Sequence, residues 1–237
     1  MRHSGTVWGF LALPPLAVLL AFSLHVPLPR LLLALWGLPA LLPDLTATLA
    51  RVSGTALAAW ALGWVVARGL WAWPAAWQCS RPLVQFARHV SPFAWFPFAI
   101  VWFGLGEAPA AFVLFVALFF PALVAVRSSL ETVPVVYREE ARVAGASGWQ
   151  IAWRVELPLL LAPMTSLLRV LWGLGWTAGI AVEMLGVRNG LGFRLMDYRY
   201  LQQHDSMIAV LLLMGFVGLA VDGLLHWLEA NLRYSLD

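Results

Sequence analysis

The stretch Tyr137–Pro158, YREEARVAGASGWQIAWRVELP, is the most polar part of the chain and decides how the rest is read. It carries Arg138, Glu139, Glu140, Arg142, Arg154 and Glu156, while nearly everything around it is apolar. Charged, helix-forming residues in a lipid-soluble chain belong outside hydrocarbon, where they can touch a soluble partner. The order of elements inside the stretch is informative. Tyr137 to Ala144 favours a helix, and Gly145 suits its stop. Ser147 followed by Gln150 reads as a capping box for a second helix. Pro158 suits the first turn of a third. Tyr137, Ala141, Ala144 and Gly148 would share one mostly small face if the first helix continued. Glu139 and Arg142 are spaced to pair, for roughly a few tenths of a kcal/mol. A solvated loop accounts for the charge alone. The order of these elements, directly before a proline-started apolar run, is more specific.

Composition places the remainder in a membrane. The chain of 237 residues is 62% hydrophobic and 11% charged, with a mean hydropathy of +0.81. Soluble domains carry about a quarter charged residues. There is room for five or six spans of about 20 residues each, and one all-α bundle over 1–237 with its core at 45–230 is the simplest arrangement. Spans are expected at about Val7–Leu24, Leu45–Val66, Leu83–Phe103, Ala108–Val126, Pro158–Met184 and Met207–Leu228. Residues Arg30 to Leu42 are too short and proline-bounded to cross, and read as interfacial. The first apolar run imitates a signal peptide but shows no small-x-small cleavage pattern after Phe22, so it reads as a retained span. Small residues in the second span (Ser53, Gly54, Ala56, Ala58, Ala59, Gly63) permit close helix packing. Arg68 to Arg81 reads as an interfacial loop marked by Trp71, Trp73 and Trp77, and Gly186 to Asp205 as another loop.

All fifteen basic residues are arginine, and the net charge is +3. They are spread near span ends, which argues against a nucleic-acid partner and bears instead on orientation. Arg2, Arg68, Arg81, Arg127, Arg138, Arg142, Arg154 and Arg233 fall on one set of ends, against Arg30, Arg51, Arg188, Arg194 and Arg199 on the other. The positive-inside bias places both termini and the polar stretch in the cytosol. The one cysteine, Cys79, excludes an intrachain disulfide. His3, His25 and His89 form no metal-ligand spacing.

The polar stretch resembles the EAA loop of importer permeases of the ATP-binding-cassette (ABC) superfamily. In that family a Glu-Ala-Ala triplet precedes a glycine and, after a spacer, a Leu-Pro. Here the matching residues are Glu139-Glu140-Ala141, then Gly145-Ala146-Ser147, then Leu157-Pro158, with Glu140 where the family usually has alanine. SPFAWFPFAIVWFGLGE (Ser91–Glu107) and AVEMLGVRNGLGFRLMDYR (Ala181–Arg199) are similar to the nitrate/sulfonate/taurine branch, and the resemblance covers roughly Leu45 to Asp237. It implies the type I ABC importer permease fold in a bacterial inner membrane. It also implies a coupling helix formed by Glu139, Glu140, Ala141, Arg142, Gly145, Ala146, Ser147, Leu157 and Pro158. The implied partners are ABC ATPase subunits, a second permease copy as a homodimer, and an extracytoplasmic solute-binding protein. The chain has no Gly-x4-Gly-Lys-Ser/Thr loop and no lysine to supply one. ATP and Mg would then be bound by the partner ATPase, with no cofactor in this chain.

Several residues carry two readings. Arg169, in the fifth span, could attract an anionic solute such as nitrate, a sulfonate or taurine, or could pair internally with Asp222. Glu183 suits an outer gate or a structural role. Pro92, Phe96, Pro97, Trp102 and Glu107 belong to a broken span that could line a translocation pathway or simply form packing and a tight turn. A stand-alone ion-coupled carrier would use the intramembrane carboxylates and need no ATPase. Gly145-Ala146-Ser147-Gly148 also matches the Gly-x-Ser-Gly of intramembrane serine proteases. Such an enzyme needs a Ser–His pair at membrane depth, and Ser147 lies among charges instead.

Overall fold

The computed structural model describes residues 37–234, and the expected first span lies outside them. A 3-10 turn, Leu38–Leu41, leads into α1, Leu42–Ala72. There follow α2 (Pro74–His89), a 3-10 turn at Pro92–Trp95, α3 (Phe96–Phe103) and α4 (Glu107–Thr132). The polar stretch supplies α5 (Val135–Val143) and α6 (Gly148–Ile151), which runs through a π-helical turn at Ala152–Glu156 into α7 (Leu157–Gly186). α8 (Leu191–Tyr200) and α9 (His204–Tyr234) complete the described part. No strand occurs among the described residues.

Among the described residues, four helical stretches are long and apolar enough to cross a membrane: Pro39–Ala72, Glu107–Thr132, Gly148–Gly186 and His204–Asn231. Three of them, α1, α4 and α7, pack mutually, and α9 lies against α7. The α1 stripe toward this core is Val52, Ala56, Ala59, Gly63 and Ala67, all buried, at the spacing of one helix face. Gly54 and Ala58, from the expected small-residue set, point away and are exposed. Small side chains matter here because lipid supplies no hydrophobic drive between helices, so close van der Waals approach must hold them. A Cβ on Gly63 would lie 3.0 Å from the Ala122 Cβ, and one on Gly179 would lie 2.8 Å from Val52 Cγ2. Stacked Trp172 and Trp176 are buried in the same core, and Trp172 Nε1 donates to Ser53 Oγ at 3.2 Å.

Several sequence boundaries are corrected. The expected loop Arg68–Arg81 is helical on both sides of Trp73, which alone separates α1 from α2. The expected third span, Leu83–Phe103, is two pieces. α2 ends at His89, and Pro92 opens a separate turn, because a proline and the residue before it both resist continuation of an α-helix. The expected loop Gly186–Asp205 contains α8. The fifth span does not begin at Pro158 but runs without interruption from Gly148. The π-turn explains how: in a regular helix the Pro158 ring would clash with the carbonyl four residues back. The preceding turn widens, and Leu157 N–H reaches the Ala152 carbonyl instead.

α1 and α4 run parallel and α7 runs opposite to both, so their polar ends collect at two opposite places. One, the elbow end, holds the C-termini of α1 and α4, α5 and the start of the α6–α7 helix. The far end holds the N-termini of α1 and α4, the C-terminus of α7 and the start of α8.

Close packing at Gly179 leads to a mutational test. Gly179→Ala should lower thermal stability in detergent, at a cost of about 1–3 kcal/mol for the overpacked methyl less the gain in helix propensity. Val52→Ala in the same chain should recover most of the loss, and Gly173→Ala, with open space around it, should show none.

Candidate functional site

The elbow is built from local rules before any tertiary contact. α5 ends in a complete Schellman motif. Gly145, at φ +81°, donates its N–H to the Arg142 carbonyl at 2.9 Å, and Ala146 N–H reaches the Ala141 carbonyl at 2.9 Å. The next helix carries the expected capping box: Ser147 N–H donates to Gln150 Oε1 at 2.8 Å and Gln150 N–H to Ser147 Oγ at 3.3 Å. Because α5 stops at Val143, Gly148 is not on the same helix face as Tyr137, Ala141 and Ala144. The anticipated Glu139–Arg142 ion pair is not formed. At that spacing on a fully solvated face the pair gains little over hydration.

Tertiary contacts then fix where the elbow points. Arg138 is 7% exposed and uses its whole guanidinium. Nε donates to Glu156 Oε1 at 2.9 Å, Nη2 to the Leu130 carbonyl at 2.7 Å and Nη1 to the Val133 carbonyl at 3.3 Å. The last two contacts satisfy carbonyls orphaned where α4 stops. Arg68 Nε, from α1, lies 2.9 Å from the other Glu156 oxygen. This is an ion pair by distance and not an aligned hydrogen bond. Arg68 Nη2 is 3.4 Å from the Gly148 carbonyl. The Trp71 ring carries Arg138 on one contact, 4.7 Å from its centroid, and Arg127 on another at 4.2 Å. One buried carboxylate thus ties α1, α5 and the α7 helix together.

With Arg138 turned inward, the other side of α5 is left bare. Val136, Glu139, Glu140, Val143 and Ala144 line a shallow, open depression. Val143 is 90% exposed and Trp149, on the adjoining helix, 70%. An apolar and acidic surface is thus left exposed on a backbone held from behind. Ala141 and Ala146 are half-buried beneath it, whereas Glu139, Glu140, Arg142, Gly145 and Ser147 are exposed. Leu157 is half-buried and Pro158 exposed, both set back at the start of α7. Ser147 Oγ is engaged as a helix cap, and its recorded partner is Gln150 rather than a histidine.

The far end holds a second, more buried polar cluster. Glu183 is 1% exposed. Its Oε2 accepts from Gly192 N–H at 2.8 Å and from the Thr48 hydroxyl at 3.0 Å, and its Oε1 accepts from Arg51 Nη1. Arg51 also donates to Glu107 (2.9 and 2.8 Å) and, through Nη2, to Asn189 Oδ1 at 2.6 Å. Asp44 accepts from Gly190 N–H at 2.9 Å and from Arg194 Nε at 2.7 Å, and Leu191 N–H donates to Thr48 Oγ1 at 2.9 Å. Three successive N–H groups at the start of α8 therefore end on α1 and α7 side chains, which satisfies a helix N-terminus inside the protein. The approach excludes side chains: a Cβ on Gly190, at φ +104°, would meet the Glu183 carboxyl at 2.5 Å. Asp44, Thr48 and Arg51 were not singled out from sequence. Their signal is a polar stripe at i, i+4 and i+7 in an otherwise apolar span.

The remaining pathway residues do not converge. Phe96 is buried at the far end, where a Cβ on Gly186 would lie 2.5 Å from its Cζ. Trp102 is exposed and meets Phe112 edge-on at 5.8 Å. Pro92 and Pro97 shape the short 92–103 segment. Arg169 pairs through Nε and Nη2 with both Asp222 oxygens at 2.7 Å, and donates to His226 Nδ1 at 2.9 Å. Its Nη1 lies 3.7 Å from Glu229. Its fork is occupied by α9 carboxylates.

Such an arrangement defines a polytopic helical membrane protein with a rigid polar elbow at one end of the bundle, and its fold is that of the type I ABC importer permeases. Superposition on an inward-facing structure of the MetNI methionine ABC transporter gives a TM-score of 0.62 at 19% identity, over 82% of this chain and 96% of that one. The chain belongs to the family of binding-protein-dependent transport system inner membrane components, matched over residues 59–234. It is 29% identical over 190 residues to the taurine transport system permease protein of Escherichia coli, covering 80% of this chain and 66% of that protein. It is 34% identical over 150 residues to a bicarbonate transport system permease protein of Synechococcus elongatus, covering 62% and 54%. The chain thus spans roughly half to two thirds of these relatives' lengths.

Two substitutions test the clusters. Glu156→Gln leaves the buried Arg138 without its carboxylate, a loss of about 3–5 kcal/mol. Amide exchange across 135–156 should then quicken roughly 100-fold or more while α4 stays protected, and exposed Glu139→Gln should change nothing. Gly192→Ala would bring a Cβ to 2.3 Å from the Ile180 carbonyl. It should detach α8, read as new proteolytic cleavage within 187–203.

Proposed function

We propose that this chain is the membrane-spanning permease subunit of an ABC importer, and that the exposed face of α5 is where a separate ATPase subunit docks. The observation that carries this is the division of labour within one short helix. Arg138 is tied to Glu156, Leu130 and Val133, while Val136, Glu139, Glu140 and Val143 face outward without side-chain partners among the described residues. A docking helix must be stiff against its own bundle to pass on a partner's motion, and the Glu156 tie supplies that stiffness across α1 and α7. Nucleotide-driven movement of the ATPase would bias the bundle between two openings, which requires different contact energies in the two states. ATP and Mg then belong to that partner, and this chain catalyses no bond chemistry.

The rest of the assembly follows as part of the same reading. A second copy of the permease completes a homodimer, a solute-binding protein delivers from outside, and the elbow end with both termini is cytoplasmic. The arginine bias supports this orientation. The solute is a small polar or anionic molecule, in keeping with the taurine and bicarbonate named for the relatives. Glu183 and Arg51 close the far end as a gate.

Glu139→Lys and Val143→Glu change the docking face without touching the Glu156 tie. Each should leave the protein inserted and folded but abolish ATP-dependent uptake and co-purification of the ATPase. Normal ATP-dependent uptake in both variants, or uptake by the chain alone driven by an ion gradient, would overturn the proposal in favour of a stand-alone carrier.

A further inference from the structure

α2 is not used by the reading above, and it is unusual among the helices. It packs against α4 by one face, where Val84 is buried. On a second face Leu83 and Phe86 are exposed, in line with Cys79 at helical spacing. Between α2 and α4 lies a cavity of about 420 Å³ lined by Trp77, Arg81, Gln85 and Arg88 from α2 and by Arg127, Ser128 and Glu131 from α4. Three guanidinium groups thus face one carboxylate. Arg127 donates to Glu131 at 2.9 Å, and Arg81 and Arg88 take part in no ion pair among the described residues. Arg127 Nε is buried and has no hydrogen-bond partner. The Arg127 guanidinium is held over Trp71 at 4.2 Å and beside Trp77 at 5.4 Å.

The level of this cavity is set by α4. Arg127 lies 20 residues along the helix from Glu107, or about 30 Å at the α-helical rise, which is the thickness of a bilayer's hydrocarbon. Glu107 belongs to the far-end polar cluster, so Arg127 falls at the opposite headgroup layer. Tryptophans beside it suit that layer. An amphipathic helix there, with Leu83 and Phe86 toward acyl chains and arginines turned into a cleft, is shaped for a lipid rather than for water.

We propose that the α2–α4 cavity binds the phosphate headgroup of an anionic phospholipid. Arg81 and Arg88 supply the uncompensated charge, Arg127 adds a fixed, partly unsatisfied guanidinium, and Gln85 and Ser128 offer further donors. Arginine forks match phosphate oxygens in pairs, and basic pockets between membrane helices select anionic headgroups. The acyl chains lie along the exposed Leu83–Phe86 flank, which is the reason to commit to a lipid over free phosphate. Trp71 touches both Arg127 and Arg138, so the bound headgroup abuts the anchor of the elbow. This proposal stands independently of the ATPase reading, since it concerns a different face and a different ligand.

Native mass spectrometry of the purified full chain in detergent tests it, with phosphatidylglycerol, phosphatidylcholine and inorganic phosphate titrated separately. Phosphatidylglycerol should bind in preference to phosphatidylcholine. The double variant Arg81→Gln/Arg88→Gln alters two exposed side chains and should fold normally. It should weaken phosphatidylglycerol by about fivefold per arginine, on the order of 30-fold together, and leave phosphatidylcholine unchanged. Arg199→Gln at the far end should keep the preference. Equal binding of the two lipids, or an undiminished preference in the double variant, would refute the site. Displacement of phosphatidylglycerol by inorganic phosphate at equal concentration would assign the cavity to soluble phosphate and refute the lipid.

Discussion

A single carboxylate, Glu156, sits 2% exposed between the guanidinium groups of Arg138 and Arg68. A charge so far from water is tolerable only when paired and hydrogen-bonded, and removing one partner costs far more than the pair gains. The rest of the elbow depends on that constraint. It draws Arg138 inward, which leaves one face of α5 bare. It holds Arg68 at the end of α1 against the entry to α7. It also lets Arg138 cap the carbonyls that α4 leaves open at Leu130 and Val133.

The far end solves the same problem with a different tool. There the buried acids, Asp44 and Glu183, each accept one backbone N–H from the start of α8 beside an arginine, Arg194 and Arg51 respectively. A helix N-terminus carries partial positive charge and unsatisfied donors, so it serves as a counter-ion that has no side chain of its own. Glycines at 190 and 192 permit the approach. The two ends therefore differ in character. Arginine side chains alone hold the elbow, whereas backbone N–H groups share the role with Arg51 and Arg194 at α8.

Between the two ends the bundle is joined by close contacts of small residues, with Gly63 on Ala122 and Gly179 on Val52. Packing of that kind is stiff, because a close-packed interface has no slack to absorb displacement gradually. On the proposed reading, a push on α5 would be carried into α7, a helix continuous from Gly148 to Gly186. The π-turn at Ala152–Glu156 makes the ladder irregular near the start of this helix, and Pro163 removes one further N–H from it. The π-turn coincides with the carboxylate that anchors the elbow.

The sequence by itself determined the membrane class, four of the six expected spans and the local grammar of the elbow. Apolar run length sets the spans, and the glycine stop and the Ser147–Gln150 cap depend only on neighbours a few residues away. The family was legible from the same residues, because the polar stretch is short and contiguous. Only the tertiary structure decided which charges face outward. Arg138, Glu139, Glu140 and Arg142 look alike in a list of polar residues, yet one is buried and three are bare. The difference rests on Glu156, 18 residues further along the same stretch, and on Arg68, which is distant along the chain. The same holds for Asp44, Thr48 and Arg51, whose partners lie at 183–194. Long-range ion pairs and dipole contacts leave no periodic trace, since the hydrocarbon constraint demands a partner for a buried charge without saying where along the chain it comes from.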